Sequence, residues 1–264
     1  MRVRASSTTA LALGSAANGL LAYVFYALVT RHLGATASAP VSVLWTYWSF
    51  AAAALTFPLQ HWIARSVAAH AGEAMVRAGL PSVVAAVVAA GVAAGLLGWW
   101  GRNALFSRGD LWFPLLVGWV TLGAGFTGVV RGGLSARHRF GAVALALAAE
   151  NALRCAAAVG LIVVGSRAPL LFGACLAAGS LVGLAWPGSF RFSSGGSQGD
   201  GSDGGGTTAA PSAALAFLGG AAGGQVIAQA VLTGGPVVLA LSGGTAAQVT
   251  ALFAGLALFR APYT

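Results

Sequence analysis

Apolar residues run along this chain in stretches of about twenty, separated by short segments that hold most of its charged side chains. Twenty helical residues at 1.5 Å each make about 30 Å, the thickness of a bilayer's hydrocarbon core. Spans are predicted at 8–31, 41–64, 79–100, 111–131, 141–165, 168–187, 213–240 and 246–264. No stretch alternates with the period of two that barrel strands show over about ten residues. The pattern therefore predicts an all-α fold, a polytopic helical membrane protein.

One polar stretch stands apart. "SSGGSQGDGSDGGGTTAAPS", following the sixth predicted span, is Gly/Ser-rich and cannot bury a core, so it reads as a flexible linker. It divides the chain into a six-helix lobe over 1–190, a cytoplasmic linker over 191–212 and an incomplete second lobe of about two helices over 213–264. The second part faintly repeats the first. "LGSAANG" is matched by "LGGAAGG", "LGATASAPVSVLW" by "LSGGTAAQVTALF", and "FAAAALTFP" by "FAGLALFRAP", in order and at nearly constant offset. Parallel repeats of this kind are one transporter architecture. By the repeat, Thr264 falls inside the counterpart of the second span, so the chain is expected to be a piece of a protein with two six-helix halves.

Composition excludes a soluble fold. The chain is 58% hydrophobic and only 7% charged, against about 25% charged in soluble domains. All fourteen basic residues are arginines. The net charge of +9 comes with no basic, aromatic-interleaved soluble segment, so it points to short loops at a membrane and not to nucleic acid. Eight arginines (2, 4, 65, 77, 131, 137, 139 and 191) fall on the N-terminal side of the membrane and four (31, 102, 108 and 167) on the other. Positive charge accumulates inside, so the N-terminus is expected in the cytoplasm. The first apolar run is longer than the 7–15 residues of a signal-peptide core, so it reads as a retained helix. Cys155 and Cys175 lie in apolar runs with no CxxC and no nearby histidine, which suits small buried residues.

Candidate chemistry lies in the few polar residues inside the spans. Ionisable groups at membrane depth usually face a bundle interior or a wet cavity. In "ALAAENALRCAAAV", Glu150 and Arg154 share one face of a helix at spacing i, i+4 and near mid-membrane. Either they form a self-neutralising pair that locks this helix in place, or Arg154 turns its fork of donors to an anionic cargo while Glu150 holds it. Gln225 and Gln229 repeat the i, i+4 spacing, suited to sugar hydroxyls or to interhelical hydrogen bonds. Asn18 lies beside Gly19 in the first span. Gln60 and His61 follow Pro58, which is expected to kink the second span. Trp99, Trp100 and Trp112 read as an interfacial belt, and Trp45 and Trp48 as interior. Arg137, His138 and Arg139 read as a loop anchor. There is no GxSxG, HExxH or P-loop.

Three stretches resemble a known family. "YALVTRHLGATASAPVSVLW", "RGGLSARHRFGAVALALAAENALR" and "SGGTAAQVTALFAGLALFRAP" are similar to helix-end and helix-start patterns of the MOP (multidrug/oligosaccharidyl-lipid/polysaccharide) exporter superfamily, in its polysaccharide or O-antigen flippase branch. The resemblance implies a multi-pass protein of the cytoplasmic membrane that flips a lipid-linked glycan of the undecaprenyl-pyrophosphate type by alternating access. It implies no cofactor and no bond-making chemistry, with membrane lipids and glycan polymerase or assembly proteins as partners. The implied cavity candidates are Arg154, Glu150, Asn18, Gln60, His61, Gln225 and Gln229. The alternatives are an ion-coupled drug or metabolite antiporter of the same superfamily, and a non-transporting scaffold in a glycan assembly complex. The chain departs from the family pattern in its missing helices, its Gly-rich linker and its lack of an acidic residue in the first span, which weighs against the antiporter.

Overall fold

The computed structural model describes residues 5–68, 72–192 and 211–260, and among them there are helices and no strands. The linker expected over 191–212 lies almost wholly outside the described residues. The helices are α1 (Ala5–Leu33), α2 (Ala35–Ala51), α3 (Phe57–Ala68), α4 (Gly72–Trp100), α5 (Arg102–Phe106), α6 (Trp112–Ala136), α7 (Phe140–Val163), α8 (Pro169–Ala178), α9 (Pro211–Thr233), α10 (Gly235–Leu241) and α11 (Ala246–Arg260). Among the described residues, five stretches, in α1, α4, α6, α7 and α9, are long and apolar enough to cross a membrane. Their outward residues are what lipid requires: Val88, Leu96, Leu115, Leu145 and Val163 are all exposed. The protein is therefore a helical protein embedded in a membrane. Trp99, Trp100 and Trp112 are exposed near the ends of α4 and α6, as an interfacial belt demands.

Three predicted spans depart from straight helices, each for a local reason. Between α2 and α3 the chain widens into a π turn over Ala52–Thr56. Pro58 follows at once; it has no N–H to give the carbonyl four residues back, and its ring crowds that carbonyl. A wider turn relieves the crowding where a sharp kink was expected. The turn presses on small residues of α6. Thr56 Oγ1 donates to the Ala124 carbonyl at 2.8 Å, and a Cβ on Gly128 would come within 3.0 Å of Thr56 backbone.

The sixth span is an α-helix only to Ala178 and continues as a 3₁₀ helix over Gly179–Ala185. The greater rise of the 3₁₀ segment lets the pair reach about 29 Å with few residues. The seventh span breaks at Gly234, between α9 and α10.

The helix ends gather at two poles of the bundle. Arg137, at the end of α6, donates to Glu73 Oε1 at 3.1 Å and to the Arg191 carbonyl at 2.6 Å, and Arg65 lies over the Phe217 ring at 5.5 Å. The starts of α4 and α9, the ends of α3 and α6, and residues 187–192 thus meet at one end. At the other, His32 Nε2 bonds to the Ser166 carbonyl at 2.8 Å.

A buried charge cluster beside a central cavity

α1 and α7 pack along much of their length, and two asparagines tie them together: Asn151 Nδ2 donates to Asn18 Oδ1 at 2.8 Å and to the Asn18 carbonyl at 3.2 Å. On the same stretch of α7, Glu150 is 4% and Arg154 1% exposed. The i, i+4 pair forms as its spacing predicts, with Arg154 Nη2 donating to Glu150 Oε1 at 2.5 Å.

Arg154 is held on every side and does not reach the cavity. Nη1 donates to Asn151 Oδ1 at 2.8 Å and Nε to the Leu176 carbonyl at 3.0 Å, while the guanidinium carbon sits 4.4 Å from the centre of the Trp48 ring. A continuing α-helix would give the Leu176 carbonyl to the amide of residue 180. Arg154 takes that carbonyl from the side, and the chain goes over to 3₁₀ bonding three residues later.

The carboxylate's second oxygen goes elsewhere. Glu150 Oε2 accepts from Arg131 Nη2 at 2.6 Å. The sequence pattern ends the fourth span at Arg131 and assigns it to a loop; α6 instead continues to Ala136, and Arg131 is only 7% exposed. Three ionised groups therefore form one chain, Arg131–Glu150–Arg154, with one net positive charge in the bundle interior. Arg131 makes one hydrogen bond to the described residues, and its buried Nε has no partner among them.

A cavity of about 500 Å³ lies against this cluster, walled by α1, α2, α3, α6, α7, α9 and α11. Arg131 lines it, with Asn18, Gln60, Asn151 and Gln229 among its polar neighbours. Arg154 and Glu150 do not line it; they stand behind Arg131. His61 and Gln225 are exposed and also outside the lining. Of the seven residues expected at a cavity, three reach it. The sequence pattern places Arg131 in a loop and gives Asn151 no role, although Asn151 sits between Glu150 and Arg154 and both are polar residues beside or inside apolar runs.

One end of the cavity is aromatic. Tyr26, Trp45, Trp48 and Phe253 all contribute to its wall. The Tyr26 and Phe253 rings are 4.6 Å apart and those of Trp45 and Phe253 6.2 Å. Tyr26 donates its hydroxyl to the Thr250 carbonyl at 3.2 Å and shares a hydrogen bond with Ser42 Oγ at 3.0 Å. Thr250 Oγ1 in turn donates to the Ala35 carbonyl at 2.6 Å. Ser42 and Thr250, and likewise Trp45 and Phe253, are the positions that the sequence repeat aligns. They meet here across the contact of α2 with α11.

Comparison of the chain with protein-family models, curated proteins and solved structures finds no match.

Proposed function

We propose that this protein is a multi-pass transporter of the cytoplasmic membrane that moves a lipid-linked glycan, of the polyprenyl-pyrophosphate class, by alternating access, with its N-terminus in the cytoplasm. The observation that carries the reading is the unbalanced positive charge beside the cavity. A buried cluster with one guanidinium in excess is costly in a membrane protein unless an anion shares it. Arg131 presents that excess to a space whose wall, besides aliphatic side chains, carries amide, hydroxyl and aromatic groups, which suit sugar hydroxyls and sugar rings. The anchoring role proposed for an arginine thus moves from Arg154 to Arg131.

Two further features support the reading. Repeat-matched residues of α2 and α11 face each other at the cavity's aromatic end, as two related lobes would across a central site. Arginines 65, 137 and 191 gather at the end of the bundle nearest the start of α1, which favours a cytoplasmic N-terminus. Partners on this reading are the lipid-linked glycan, membrane lipids and glycan polymerase or assembly proteins. The role is carriage and not catalysis.

The test is transbilayer movement of a fluorescent, short-prenyl, pyrophosphate-linked oligosaccharide in liposomes holding the full chain. Movement is expected for the native protein and strongly reduced movement for Arg131→Gln at equal incorporation. Equal movement by the two proteins, or equal movement of a neutral prenyl glycoside, would overturn the reading.

A further inference from the structure

We propose that Arg154 is a positioning residue for a phosphate-binding site at Arg131: it keeps Glu150 from neutralising the guanidinium that faces the cavity. The inference rests on the anionic cargo proposed above and concerns what sets the charge of its site.

Glu150 carries one negative charge and is flanked by two arginines at 2.5 and 2.6 Å. With Arg131 alone it would form a neutral ion pair, and a cavity anion would then meet a guanidinium whose charge the carboxylate behind it cancels. Arg154 changes this without reaching the cavity. It holds Oε1 through Nη2, and its own place is fixed by Asn151, the Leu176 carbonyl and the Trp48 ring. The carboxylate is therefore divided between two cations, and the group that lines the cavity is left with positive charge unmet and a buried Nε without a partner. The donors left on Arg131 suit phosphate oxygens, which take planar guanidinium donors well. The ligand class is a phosphate or pyrophosphate group, borne by a lipid or free in solution.

The experiment uses the full chain in lipid nanodiscs and measures equilibrium binding of three probes: farnesyl pyrophosphate, farnesol and inorganic pyrophosphate. Native protein is expected to bind farnesyl pyrophosphate at least tenfold more tightly than farnesol, the scale of one charge-assisted hydrogen bond. Binding of inorganic pyrophosphate with similar strength would assign the site to a free anion, and its absence to a lipid headgroup; both outcomes support an anion site. Arg154→Met, which leaves a neutral Arg131–Glu150 pair, is expected to lose about tenfold in affinity for the anionic probe, with farnesol unchanged. Adding Glu150→Gln to Arg154→Met restores the single positive charge at Arg131 and is expected to return affinity to within a few-fold of native.

The rescue separates charge control from scaffolding, because the double variant still lacks every contact Arg154 makes. Native affinity in Arg154→Met, or no recovery in the double variant while it remains monodisperse and helical, overturns the proposal. Should Arg154→Met not fold, Glu150→Gln alone decides: tighter binding of farnesyl pyrophosphate supports the proposal and weaker binding overturns it. If the native protein binds farnesol and farnesyl pyrophosphate equally, the anionic-cargo reading itself fails, an outcome distinct from loss of the Arg154 effect alone.

Discussion

Arg131 and Arg154 divide one carboxylate between them: Glu150 Oε2 accepts from the first at 2.6 Å and Oε1 from the second at 2.5 Å. The two arginines stand 23 positions apart in sequence, on helices of opposite direction joined by a short turn. α6 ends five residues after Arg131 and α7 begins ten residues before Glu150, a difference of about 7.5 Å along the axis that the long Arg131 side chain spans to reach the carboxylate. Each ion is buried, so the attraction within the cluster has to offset a large desolvation cost.

The first prediction concerns Glu150→Ala. It leaves two buried guanidiniums facing a void with no counter-charge. Breaking a buried pair in this way costs about 3–5 kcal/mol, a large share of a typical stability of about 5–15 kcal/mol. The expected result is a marked fall in thermal midpoint in detergent and poor recovery from membranes. Glu150→Gln keeps an oxygen acceptor and is expected to fall less. A thermal midpoint unchanged in Glu150→Ala would show that the cluster is not ionised as described.

Gly179 supplies a second prediction. A Cβ there would come within 2.8 Å of the Arg154 guanidinium carbon. A long side chain would normally swing away from such a contact. Arg154 cannot, since Glu150, Asn151, Leu176 and Trp48 all hold it. Gly179→Ala is therefore expected to cost about 1–3 kcal/mol, as other overpacked sites do. Gly188→Ala, where a Cβ would meet nothing within 4 Å, serves as the control. Equal thermal midpoints for the two variants would refute the crowding argument.

Arg137 leads to a third. It lies at the end of α6, where it donates to the carbonyls of Gly188, Ser189 and Arg191 and to Glu73, and stacks over Phe192. A single residue thus ties residues 188–192 to α4 and α6. Arg137→Lys keeps the charge but replaces a planar fork of five donors with one compact ammonium. Hydrogen exchange across 187–192 is expected to rise in both Arg137→Ala and Arg137→Lys, more in the first. Unaltered exchange in Arg137→Ala would show that the short 3₁₀ turn at Pro187–Phe190 holds itself.

The sequence reveals the depth of these residues better than their direction. Hydropathy located every long apolar helix, because burial in lipid is a property of a whole stretch. It ended the fourth span at Arg131 for the same reason: a charge lowers local hydropathy whether it lies in a loop or in the bundle. The i, i+4 rule brought Glu150 and Arg154 together, since that contact is local. Which side of α7 faces the cavity is not local. Lipid-facing and core-facing surfaces here are both apolar, so no amphipathic stripe indicates helix rotation. Gln225 and Gln229 show the result, with Gln229 reaching the cavity wall and Gln225 exposed.

The last prediction concerns Tyr26, which joins the two sequence-related segments at the aromatic end of the cavity. Its hydroxyl bonds to Ser42 Oγ on α2 and to the Thr250 carbonyl on α11, and its ring packs on Trp45 and Phe253. Tyr26→Phe retains the ring contacts and removes both hydrogen bonds. Interhelical hydrogen bonds in membranes contribute about 1 kcal/mol, so the population with α2 and α11 parted is expected to rise about fivefold. Ala39, buried on α2 near Val249 of α11, can report that parting as a cysteine. In a background with Cys155 and Cys175 replaced by alanine, Ala39→Cys is expected to react several times faster with a membrane-impermeant thiol reagent when Tyr26→Phe is also present. An equal rate would mean that the ring stack alone holds α2 against α11, and that the hydroxyl has no part in closing this end.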